Sequence, residues 1–88
     1  MTELEKQKCH KLMCEGIRNG KEAQEVFKRT NISAVQMRFA DQKIGYAQGI
    51  NQALASIGYS HPDMKMLWDV IWMRWLNERR LDMYRFWL

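Results

Sequence analysis

Two histidines and two cysteines are the residues of this sequence best suited to metal or redox chemistry. His10 and Cys14 stand four residues apart and share one face of a helix, and His61 can join them only through tertiary folding. Structural zinc normally takes four ligands, in recognisable pairs such as C-x2-C or H-x3-H, and neither pair occurs here. The expectation is a thiol beside a surface histidine, with no metal and no other cofactor. Cys9 and Cys14 are five apart on one predicted helix and cannot reach disulfide geometry, which points to reduced thiols and a cytoplasmic setting. Neither histidine has a nucleophile or orienting acid evident in the sequence, and no glycine-rich phosphate loop is present. An enzyme is not expected, nor a small-molecule substrate.

The basic residues offer a different chemistry. Between Lys21 and Lys43 the chain reads KEAQEVFKRTNISAVQMRFADQK, two helical segments around Thr30-Asn31-Ile32. This stretch resembles a helix-turn-helix, with Asn31 at the turn position usually held by glycine. In that register Ser33, Ala34, Gln36 and Arg38 sit at the start of a recognition helix, where Gln pairs with adenine and Arg with guanine. Lys28, Arg29 and Lys43 would reach phosphates. What the resemblance implies is a small regulator that reads double-stranded DNA.

The aromatic residues supply the competing reading. All four tryptophans lie in the last third of the chain, where Trp68, Trp72 and Trp75 recur at core spacing with Met64, Leu67, Ile71 and Leu76. Met66, Val70 and Met73, with Tyr84 in approximate line, form a second apolar row on the far side of that helix. Trp87 closes a strongly aromatic terminus. Methionine-rich helix faces accept partner helices, so Met66, Val70, Met73, Tyr84 and Trp87 are the candidate protein interface, used for a homodimer or for docking on a larger protein.

These groups must be held by helices. Thr2 with Glu5, Ser33 with Gln36, and Ser60 with Asp63 match the capping box, and Pro62 suits a first helical turn. Gly16 or Asn19-Gly20, Thr30-Asn31 and Gly58 read as helix stops. The fold class is therefore all-α, a compact bundle of about four helices at about 3–15, 20–30, 33–57 and 61–87, with Gly45 marking an alternative break of the third near 44–45. The spacing of Gly45, Gly49 and Ala53 predicts a shallow groove open to another backbone or an indole, with Trp68, Trp72 or Trp75 the expected occupant.

At 88 residues the chain is one domain, and 47% hydrophobic content gives it the material for a dense core. The net charge of +4 arises mostly between Arg18 and Lys43, while no Asp, Glu, Lys or Arg occurs from Ile44 to Pro62. That is enough basicity to tolerate a polyanion without requiring one. The most hydrophobic window, Met64 to Leu76, carries Lys65, Asp69 and Arg74 and is too short to span a bilayer, so no membrane partner is expected.

Overall fold

A computed structural model describes residues 1–29 and 31–72. Three helices pack together: α1 spans Glu3–Phe27, α2 spans Ala34–Ser56, and α3 begins at residue 64 and is helical through residue 72. The described residues contain no strand. The all-α class is confirmed; the division into four helices is not. The two segments expected at 3–15 and 20–30 are one continuous helix.

The reason lies in what Gly16 and Gly20 face. A Cβ on Gly16 would stand 2.9 Å from Leu67 Cδ1 and 3.3 Å from Ile50 Cγ2, and one on Gly20 would overlap the Val70 side chain. Both glycines therefore form a notch in α1 that lets α3 approach its backbone. Their cost to helix propensity, about 1 kcal/mol each, is offset by burial of the residues seated there. Signals that read as helix stops were signals of close packing.

The helix ends follow local chemistry more faithfully. The Thr2 hydroxyl accepts from the Glu5 N–H at 3.2 Å and donates to the Glu5 carboxylate at 3.1 Å. Ser33 and Gln36 make the full reciprocal box: Ser33 Oγ accepts from the Gln36 N–H at 3.2 Å, and Gln36 Oε1 from the Ser33 N–H at 3.1 Å. Asn31 takes the left-handed conformation at φ 61° in the turn between α1 and α2. At the end of α2, Gly58 at φ 76° allows its own N–H to reach Ala55 O at 3.1 Å and the Tyr59 N–H to reach Leu54 O at 3.0 Å. That pair of bonds is a Schellman closure.

Continuity through Gly45 and Gly49 settles the alternative break of α2, since the helix runs unbroken past both. Helix α3 starts later than the expected residue 61. His61 Nδ1 accepts from the Asp63 N–H at 3.0 Å, and the first helical bond of the 4-residue kind runs from the Leu67 N–H to Asp63 O at 3.2 Å. The predicted end at 87 lies outside the described residues.

Helices α1 and α2 form an antiparallel hairpin, tied along its length by Tyr46 to Glu15 and by Lys43 to Asn19 and Glu22. Met13, Leu54 and Leu67 are its fully buried large side chains, within a core shared with Cys9, Ile17, Ala47, Ile50, Val70 and Ile71. Ala23, Val26, Ala40 and Ile44 make a smaller cluster nearer the turn, closed by Phe27 and Ile32. Among the described residues one polar side chain is drawn inside: Gln24, 6% exposed, donates from Nε2 to Val70 O at 2.7 Å and pins α3 to α1.

Candidate functional site

The residues expected to read DNA are exposed, with one exception, yet are arranged otherwise than in a helix-turn-helix. In that motif the two helices cross at about 90–120°, leaving the second free to enter a groove. Here α2 lies alongside α1 for most of its length. Gln36 and Ser33 are engaged with each other in the capping box. Lys43 is the exception, its side chain only 18% exposed: it pairs with Glu22, donates to Asn19 Oδ1 at 3.4 Å and stands over the Phe39 ring at 4.8 Å from its centroid. Its charge holds the Glu22 carboxyl below the ordinary value, chiefly through the direct hydrogen bond. Lys28 lies 4.0 Å from Glu25 in an exposed pair of little energetic weight. Arg29, Ala34 and Arg38 remain open to solvent around the turn.

Of the candidate protein interface, Met66 and Val70 lie among the described residues. Val70 is 7% exposed and belongs to the core, seated against Gly20, and so does not share an exposed row with Met66. Helix α3 is turned about its axis from the orientation expected: Val70 joins Leu67 and Ile71 inside, and Trp68, assigned to the core by its spacing, is 49% exposed. The notch at Gly20 accounts for this, because with no Cβ there the Val70 side chain can lie against the α1 backbone. Met66 is 42% exposed beside Cys14, Ile17, Arg18 and Lys21 of α1. Two residues on, Trp68 points to the other flank of α3. Its ring lies 5.0 Å from that of half-buried Trp72, tilted by 49°. Met73, Tyr84 and Trp87 lie outside the described residues, as does Trp75.

The expected groove along Gly45, Gly49 and Ala53 receives none of the described tryptophans. A Cβ on Gly45 or Gly49 would meet nothing within 4 Å, and Ala53 is exposed. The same flank of α2 shows Val35 at 76%, Phe39 at 53%, Tyr46 at 48% and Ile57 at 58% exposure. Their helical spacing is compatible with one face shared with Ile50 and Leu54; α2 instead buries Ala40, Ile44, Ala47, Ile50 and Leu54 and leaves the others outside. Their separation was legible in principle, since the alanines at 40 and 47 extend the apolar arc past what one packing partner can cover.

His10, Cys14 and His61 do come together. His10 Nε2 is 3.7 Å from Cys14 Sγ, and the His10 and His61 rings are 5.0 Å apart. His61 stacks on Tyr59 at 6.3 Å, and Tyr59 carries a phenol pushed above its ordinary value, first by burial and then by the neighbouring thiols and Asp63. No three His, Cys, Asp or Glu side chains among the described residues are placed to hold a metal ion. Cys9 is buried and Cys14 exposed, both as free thiols.

Among the described residues no helix is long and apolar enough to cross a membrane. No protein-family model matches the chain, and comparison with curated proteins and with solved structures finds no match. The class defined is thus structural: among the described residues, three packed helices built on a long antiparallel hairpin.

Proposed function

We propose that this is a non-enzymatic binding module that docks on a larger protein through the outer flank of α3. The observation that carries the reading is Trp68, half exposed and braced against Trp72 while Leu67, Val70 and Ile71 of the same helix are fixed in the core. A large aromatic held rigidly at the surface loses little side-chain freedom on binding, which is why tryptophan dominates interface energetics. Met66 extends the apolar surface on the opposite flank. Free thiols suit a reducing, cytoplasmic setting for such a module.

A DNA-reading role has weaker support, because Lys43 and Gln36 already have partners within the chain and α2 runs alongside α1. The two readings separate by mutation. Partners recovered with the intact protein should be lost with Trp68→Ala, at a cost of ~2 kcal/mol or about 30-fold in affinity, and retained with Arg38→Ala. Fluorescence anisotropy with a labelled random duplex, repeated at rising salt, provides the opposing arm. Binding that falls steeply with salt and is flattened by Arg38→Ala would replace the protein-docking proposal with the DNA one.

A further inference from the structure

The uncovered flank of α2 has a symmetry that its neighbours in the chain do not explain. Val35 and Ile57 lie eleven residues on either side of Tyr46, and Phe39 and Ala53 lie seven on either side. All five are exposed, four of them on a helix of 23 residues and Ile57 at its C-cap. The steps of four, seven, seven and four keep them in one line on the helix surface, as the seam of a coiled coil requires. A line that reads the same in both directions is what a two-fold axis demands, since each residue of an isologous interface must meet its mirror position in the partner.

We infer that this flank is the contact between two copies of the chain, with the α2 helices antiparallel and Tyr46 at the two-fold axis. In that register Val35 meets the partner's Ile57, Phe39 meets the partner's Ala53, and Tyr46 meets the partner's Tyr46. The large ring of Phe39 is thus set against a small residue, the large-against-small fit that packed helices use.

Charge favours the same orientation. The charged residues of α2, Arg38, Asp41 and Lys43, all lie in its first half, and the stretch from Ile44 to Pro62 has no Asp, Glu, Lys or Arg. Antiparallel pairing lays each charged half against an uncharged one. A parallel pair would instead stack Arg38 on the partner's Arg38. Glycine at 45 and 49, with open space around both, presents no side chain to hold the two helices apart. The helix is about 34 Å long, so full pairing covers on the order of 600 Å² per partner, the lower edge of the range for specific interfaces. A dimer that dissociates on dilution is the expectation. This surface is separate from the Trp68 flank, so either assignment can fail without the other.

The test is a charge exchange at the axis, read by sedimentation equilibrium of the full chain from about 1 µM to about 1 mM, the range in which an interface of this size dissociates. The unmodified chain should pass from monomer to dimer. Tyr46→Glu and Tyr46→Lys should each remain monomeric, because like charges face one another at the axis. Mixed in equal amounts they should form a heterodimer, which only contact between the two 46 positions produces. Since Tyr46 also meets Glu15, Phe39→Asp is included as a variant clear of that contact, and it too should be monomeric with its helical circular dichroism kept. A chain that stays monomeric to the highest concentration would overturn the inference and leave the flank to residues 73–88 or to another protein. So would a dimer that survives Phe39→Asp and both Tyr46 variants.

Discussion

Four glycines on two helices offer one experiment with two opposite outcomes. Replacing glycine by alanine inside a helix gains about 1 kcal/mol from propensity and the restricted unfolded chain. At Gly45 and Gly49 an added Cβ meets nothing within 4 Å, so each substitution should stabilise by ~0.5–1 kcal/mol. At Gly16 the new methyl would stand 2.9 Å from Leu67 Cδ1, and Leu67 is fully buried with little room to move. At Gly20 it would overlap Val70 at both its Cβ and its Cγ2, and a β-branched side chain has few rotamers to escape into. Overpacking a core costs ~1–3 kcal/mol, so Gly20→Ala should lose ~1–2 kcal/mol net, and Gly16→Ala should lie near neutral or slightly below. For a domain of this size each kcal/mol moves Tm by about 4–8 °C. Thermal and urea unfolding of the four variants at low concentration would then show Gly20→Ala several degrees below the parent, and Gly45→Ala and Gly49→Ala above it. A stabilising Gly20→Ala would refute the seating of α3 in the α1 notch, and with it the orientation that exposes Trp68.

Two further outcomes follow from single side chains. Gln24→Leu removes the buried donor to Val70 O while keeping volume, and should cost ~1 kcal/mol by urea unfolding, with hydrogen exchange in α3 accelerated more than in α1 or α2. The Glu22 carboxyl is held below its ordinary value of 4.5 by Lys43. A lowered native value means that the unfolded state binds more protons on acidification, so this contribution is present above about pH 4.5 and is lost as the pH falls through the lower native value. Lys43→Met should flatten that acid limb in a pH series of unfolding curves.

What the sequence by itself determined is the all-helical class, the start of α1 at Thr2, the capping box at Ser33, the turn at Asn31 and the stop at Gly58. Each is decided by a few adjacent residues whose side chains or backbone freedom act within one turn of chain, so no distant partner is needed to read them. It also held the spacing of His10 and Cys14, and that pair does meet. What only the tertiary structure decided is the meaning of the other glycines and the rotation of α3. Gly16 and Gly20 carry the same local signal whether a helix ends there or another helix lies against them, and the difference is set by Leu67 and Val70, about fifty residues away. Once Val70 occupies the notch, Trp68 must turn outward, although its spacing alone places it inside. The flank of α2 is the same case reversed. Val35, Phe39 and Tyr46 have the period of a core face, and they stay exposed because the hairpin and α3 cover the opposite side of that helix. Apolar periodicity records that a face is fit for burial; which face is buried within the chain depends on where the close approaches of backbone are possible.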